Sequence, residues 1–125
     1  MQNNEFEYKH PSTIWEIIKS KYEIEIINGS LGTGEKMPSI STISERFSVT
    51  RNTAVKVLDS MRKDNLIYKK QGTGYFIKPM AREKLFVSYE KKALRELEQA
   101  INTAKLVNMT IPQLESHIMN LWNEE

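Results

Sequence analysis

The stretch "MPSISTISERFSVTRNTAVKVL", Met37 to Leu58, decides the fold. Ser39 is placed to cap a short helix carrying Ile40, Ile43 and Phe47, because a serine hydroxyl can accept from the free backbone N–H groups of a first turn. "RFSVT" (46–50) then alternates polar and apolar side chains in the manner of a turn. Thr50 or Asn52 caps a second helix, whose apolar positions are Ala54, Val55, Val57, Leu58 and Met61 and which runs to Asp64-Asn65. Two helices about four residues apart, the second opening on short polar side chains, form the helix-turn-helix pattern.

On the N-terminal side, Pro11-Ser12-Thr13 opens a helical pattern in which Ile14, Ile17, Ile18, Tyr22 and Ile26 recur at spacings of three and four. Asn28-Gly29 closes it, since both residues tolerate the left-handed backbone of a C-cap. "SLGTGEKMPS" (30–39) reads as a loop. On the C-terminal side, the apolar runs Leu66-Ile67-Tyr68 and Tyr75-Phe76-Ile77 flank a polar, glycine-containing tip and stop at Pro79, a β-hairpin signature. One helix, two helices in a turn and a hairpin give the order of a winged helix-turn-helix.

From Arg82 the pattern changes. Phe86, Tyr89, Ala93, Leu97, Ala100 and Ala104 recur at three and four, with Leu85, Leu94 and Ile101 on the flank, which predicts one long helix ending near Asn108. Thr110, Pro112 and Gln113 carry a capping box and a first-turn proline, so a last helix follows with Leu114, Ile118, Leu121 and Trp122. The expected fold is mainly α with a small β-hairpin. The expected division is a winged helix-turn-helix over residues 9–79 and a C-terminal helical dimerisation region over 80–125. Two helices alone cannot enclose their apolar faces in water, so the tail packs on a second subunit or on the chain's own first helix. The candidate dimer contacts are Phe86, Tyr89, Ala93, Leu97, Ala100, Ile101, Ala104, Leu121 and Trp122.

Composition narrows the chemistry. Hydrophobic and charged fractions of 39% and 27% suit a globular protein, and the absence of cysteine excludes disulfides, thiol catalysis and cysteine-ligated zinc. "MQNNEFEYKH" has no apolar core of a signal peptide, and no apolar run approaches the roughly 20 residues that span a bilayer, so a cytoplasmic protein is expected. The net charge of +2 is unevenly distributed: residues 36–79 hold nine Lys/Arg against three Asp/Glu. That segment suits an anionic partner, although a solvated basic face is the plainer reading.

An enzyme is not expected. Gly32-Thr33-Gly34 and Gly72-Thr73-Gly74 lack both the lysine of a P-loop and the third glycine of a dinucleotide fingerprint. His10 and His117 lie far apart without acids at ligand spacing, so no metal and no cofactor are expected. "VTRNTAVK" (49–56), in contrast, offers Thr50, Arg51, Asn52 and Thr53 at the start of the second helix. Arginine can bond guanine bidentately, asparagine adenine, and threonines suit phosphate oxygens. The same residues also serve as caps with a solvated arginine; the charge distribution and the hairpin favour DNA.

In this segment the chain resembles the GntR family of bacterial transcription regulators. The likeness rests on Ile27, Gly29, Leu31, Gly34, Met37-Pro38-Ser39, Ile43-Ser44, Phe47, Val49-Thr50-Arg51, Thr53, Leu66-Ile67, Gly72, Gly74, Phe76 and Ile77, whose order and spacing agree across several elements. "NTAVKVL" (52–58) and the short two-helix tail are similar to the YtrA subgroup. The resemblance implies a homodimeric regulator, most often a repressor, held together partly by its C-terminal helices and binding double-stranded operator DNA with inverted half-sites. It places Ser39, Thr50, Arg51, Asn52 and Thr53 at the DNA and the wing tip Gln71, Gly72, Thr73 and Gly74 near the minor groove. Where the family carries an arginine two residues after the serine of the Pro-Ser pair, this chain has Ser41, which leaves phosphate contacts to Ser41, Lys36, Lys56, Lys69 and Lys70. A small-molecule effector is compatible with the family, but no residue identifies one. The competing expectation is a winged helix that binds protein and has no operator.

Overall fold

The computed structural model describes residues 13–124. Pro11 and Ser12 of the expected helix start, and His10, lie outside the described residues. Helix α1 (Ile14–Ile27) begins where the Glu16 carboxylate reaches back to accept from the Thr13 backbone N–H at 2.9 Å. It ends at Asn28, whose side-chain oxygen accepts from the Ser30 N–H. Ile18, Tyr22 and Ile26 are buried as expected, but Ile14 and Ile17 are exposed. At about 100° per residue the buried positions span an arc of roughly 80°, with Ile17 well outside it and Ile14 at its edge. Trp15 falls inside the arc and packs on the core in their place.

Helix α2 (Ile40–Phe47) is capped by Ser39, which accepts from the Thr42 N–H at 3.1 Å, and it terminates at Ser48 in a left-handed conformation, φ 54°. Helix α3 (Arg51–Lys63) is capped by Thr50, not Asn52. Its buried face is Ala54, Val57, Leu58 and Met61, while Val55 lies at the edge. After Asn65, strands β1 (Ile67–Lys70) and β2 (Gly74–Ile77) pair antiparallel, with Ile67 opposite Ile77 and Lys70 opposite Gly74.

One expected loop is more ordered than its composition suggests. Ile77 donates to the Glu35 carbonyl (2.9 Å), Gly34 to that of Ile77 (2.9 Å) and Met37 to that of Tyr75 (2.8 Å), while Lys36 bridges to Phe76. Residues 34–37 therefore line the free edge of β2, held by these bonds and by an isolated bridge between Lys36 and Phe76. Two glycines and Pro38 hid this, because the pairing partner lies some forty residues away and no local signal announces it.

The core joins α1, α2, α3 and the hairpin with Met37, Ala81 and Leu85, and no described polar or charged residue is buried in it. Helix α4 (Ala81–Leu106) thus starts inside this unit. The compact unit reaches Tyr89, ten residues beyond the expected boundary at 79, because Ala81 and Leu85 are buried in its core and Tyr89 packs against it.

The second unit, described over residues 90–124, holds the rest of α4 and helix α5 (Ile111–Trp122). Asn108, at φ 60°, turns the chain, and Thr110 and Gln113 form the expected capping box, with the Thr110 N–H donating to the Gln113 amide oxygen at 2.8 Å. Ala104 is buried in this unit, and nearly all its other apolar side chains face solvent.

Candidate nucleic-acid interface

Helix α3 is amphipathic in a way that sorts its charges. With Ala54, Val57, Leu58 and Met61 turned into the core, Arg51, Asn52, Lys56, Asp59, Arg62 and Lys63 are all exposed. At about 1.5 Å rise per residue, Arg51 and Asn52 lead at the N-terminus while Arg62 and Lys63 trail about 16 Å behind. The leading end also carries the partial positive charge of the helix dipole, which favours phosphate there.

The hydroxyl groups at this end divide into two roles. Thr50 Oγ1 accepts from the Thr53 N–H at 3.3 Å and lies 3.2 Å from Thr53 Oγ1, and Ser39 Oγ donates to Thr42 Oγ1 at 3.0 Å. Ser39, Thr50 and Thr53 therefore hold the two helix starts, so the capping reading of these three residues is realised. Ser41 differs: its Oγ accepts a hydrogen bond from Arg51 Nη1 at 3.2 Å, across the turn.

The wing presents a second cationic surface in the same unit. Its tip, Gln71 to Thr73, is exposed, with the Thr73 N–H donating to the Lys70 carbonyl at 2.9 Å and Gly72 at φ 76°. Lys69 Nζ lies 5.9 Å from the Tyr75 ring centre and Lys70 Nζ 5.7 Å from that of Phe76. Lys36 joins them through residues 34–37: its Cε crosses Gly74 so closely that a Cβ built there would lie 2.9 Å away. The isolated bridge to Phe76, which the sequence hid, is what brings Lys36 to the wing.

Among the described residues, ion pairs join Lys19 to Glu23 and Asp64, Arg46 to Glu25, and Lys92 to Glu96. Lys36, Arg51, Lys56, Lys69 and Lys70 pair with no described carboxylate. Arg46 was no candidate, and its surroundings show why: the guanidinium lies 5.2 Å from the Tyr22 ring centre and 4.7 Å from that of Phe47 while bonding Glu25, tying α2 to α1. Sequence reasoning missed Arg62 and Lys63 as members of the exposed basic face, although their spacing from Arg51 was a readable signal.

The candidate dimer residues separate as well. Tyr89 packs on the core of its own unit and its hydroxyl donates to Glu23 Oε1 at 2.7 Å, and Ala104 is only 5% exposed. Both are covered within the chain. Phe86, Ala93, Leu97, Ala100, Ile101 and Leu121 remain exposed, and Trp122 is 83% exposed. His117 lies on α5 and is exposed. No group of described side chains is arranged to hold a metal, and no described helix is long and apolar enough to cross a membrane.

Residues 16–77 match the family model of bacterial regulatory proteins, gntR family. The chain belongs to that family. The matched residues form the winged helix-turn-helix of a bacterial regulatory protein. It is 33% identical over 61 residues to the arabinose metabolism transcriptional repressor of Geobacillus stearothermophilus, covering 48% of this chain and 17% of that protein. It is 25% identical over 92 residues to the regulator LutR of Bacillus subtilis, covering 71% and 42%. The chain thus spans less than half the length of either curated relative. A GntR-family regulator from Listeria monocytogenes has the same fold, with a TM-score of 0.75 at 16% identity over 90% of this chain and 98% of that one.

Proposed function

We propose that this GntR-family regulator binds an inverted-repeat operator as a homodimer and represses transcription there. The N-terminal end of α3 enters the major groove, with Arg51 and Asn52 facing base edges, and the wing tip 71–74 lies near the minor groove. Lys36, Lys56, Lys69 and Lys70 engage phosphates. The observation that carries this reading is that the start of α3 and the wing expose Arg51, Lys56, Lys36, Lys69 and Lys70 in one compact unit, none paired with a described carboxylate, while Ser39 and Thr50 cap its helices.

The dimer is supported by the second unit. Leu94, Leu97, Ile101, Ile118, Leu121 and Trp122 are all exposed on two helices, an apolar set that a second subunit would cover. The repressor assignment draws support from the name of the Geobacillus relative. The YtrA-like subgroup and a cytoplasmic location follow from the resemblance of residues 52–58 and from the family's work on chromosomal DNA.

In vitro selection from random duplexes, followed by gel shift at physiological salt with competitor DNA, tests the reading. The expected product is a two-fold motif with half-sites about one helical turn apart, and a complex holding two protomers. Failure to enrich any duplex would leave the winged unit as a protein-binding module. Sedimentation showing a monomer at micromolar concentration would remove the dimer.

A further inference from the structure

We propose that Ser41 is a positioning residue that sets the direction in which Arg51 approaches the operator, and so helps determine its base preference. The proposal rests on the operator-binding reading above. Ser41 stands in the first turn of α2, yet its hydroxyl is not needed there, because Ser39 already caps that helix and is itself bonded to Thr42. Thr50 and Thr53 are likewise engaged with each other at the start of α3. Ser41 is the exception in this group of hydroxyls. Its bond to Arg51 Nη1 is the one side-chain hydrogen bond between α2 and α3 among the described residues, and it links positions ten apart in sequence.

The consequence follows from arginine's chemistry. A solvated arginine samples many rotamers, and no carboxylate restrains this one. The guanidinium carries five N–H donors in a rigid plane, of which a bidentate contact to guanine uses two. A hydroxyl that accepts from Nη1 leaves Nε and Nη2 free while restricting the plane they define. Serine is neutral, so it steers without competing for the phosphate or the base as a carboxylate would. An arginine at position 41 would make a base or phosphate contact of its own; a serine there acts through Arg51.

The test is a double-mutant cycle on the full chain, using duplexes selected by the wild-type protein and an unrelated duplex of equal length. The expected result for Ser41→Ala is a fall of about two- to tenfold in the ratio of selected to unrelated affinity, the worth of one net hydrogen bond. Repeated selection with this variant should yield a broader preference at the base pair that Arg51→Ala also affects. Ser41→Thr, which keeps the hydroxyl, should restore the wild-type ratio. In the Arg51→Ala background the Ser41→Ala change should add nothing. The proposal is overturned if Ser41→Ala keeps the wild-type ratio and motif. It is also overturned if its effect is undiminished without Arg51, since Ser41 would then be contacting DNA on its own account. A wild-type protein that prefers no duplex at all would instead bring down the operator reading beneath it.

Discussion

Gly74→Ala tests whether the wing is built by backbone geometry or by side-chain clearance. Gly74 begins β2 at φ 131°, a conformation that residues with a Cβ rarely adopt. An alanine there meets two obstacles. The backbone must hold a sparsely populated conformation, on the order of 1–3 kcal/mol. Its Cβ must also displace Lys36 Cε, which would lie 2.9 Å away. The second obstacle is a flexible side chain that can swing aside, so the stability cost belongs to the first. A loss of about 1–3 kcal/mol is a substantial part of a domain's net stability of roughly 5–15 kcal/mol. For a domain of this size each kcal/mol lowers Tm by about 4–8 °C. Urea or thermal unfolding followed by circular dichroism, at one fixed protein concentration, measures it. Gly72→Ala is the companion: φ is 76° with nothing within 4 Å, so only a left-handed penalty of about 1–2 kcal/mol applies, and Gly72→Asn should recover most of it. The diagnostic experiment is Gly74→Ala combined with Lys36→Ala. If removing the lysine side chain abolishes the loss, clearance and not backbone was the cause. If Gly74→Ala alone changes stability by less than about half a kcal/mol, the backbone account is refuted.

Three further outcomes are expected. If Lys36, Lys56, Lys69 and Lys70 each meet a phosphate in both protomers, the slope of log affinity against log salt should approach about −7, and Lys69→Ala should flatten it by about 2; an unchanged slope removes Lys69 from the interface. Partial burial, reinforced by the Glu23 carboxylate that accepts a hydrogen bond from the hydroxyl, raises the Tyr89 phenol to about 12, with the Ser20 hydroxyl opposing. A raised phenol contributes stability that is complete below pH about 10 and lost as pH climbs from there toward 12. Alkaline unfolding should therefore fall more steeply in wild type than in Tyr89→Phe, which still contains Tyr22, also raised by burial; parallel curves would contradict the assignment. Finally, a chain ending at Tyr89 should fold with a sharp unfolding transition, whereas one ending at Pro79 should be markedly less stable. Without Ala81 and Leu85 two core positions are emptied, and without Arg82 the Ile27 carbonyl loses the Nε–H that donates to it at 2.7 Å. Equal stability of the two truncations would place the boundary back at 79.

What could be read from the sequence was local. Ser39, the Thr110–Gln113 box and the hairpin around Gly72 follow from contacts within four residues, where side-chain type and backbone conformation are coupled directly. The apolar spacing in α3 named its buried face correctly for the same reason, since a helix carries its own periodicity. Arg51 at the start of α3 and the lysines of β1 were legible too, because exposed charge needs no partner to be recognised.

Position in three dimensions decided the rest. Sequence spacing put Ile14 and Ile17 on the inner face of α1, but the arc that α3 covers admits Trp15 instead. The loop composition of residues 30–39 concealed the backbone bonding of residues 34–37 to β2, since a hydrogen bond to Ile77 depends on where the hairpin lies and not on what neighbours Glu35. Tyr89 and Ala104 fitted an intermolecular stripe by periodicity alone, whereas in the packed chain Tyr89 is half-buried against its own unit's core and Ala104 is buried. Ser41 reads as an ordinary helix residue until α2 and α3 are packed, and only then does its hydroxyl meet Arg51. The sequence determined which elements form and which charges they expose, because those follow from short-range chemistry. Tertiary structure decided which face of each helix is hidden and which distant side chains meet, because burial and pairing belong to the packed chain as a whole.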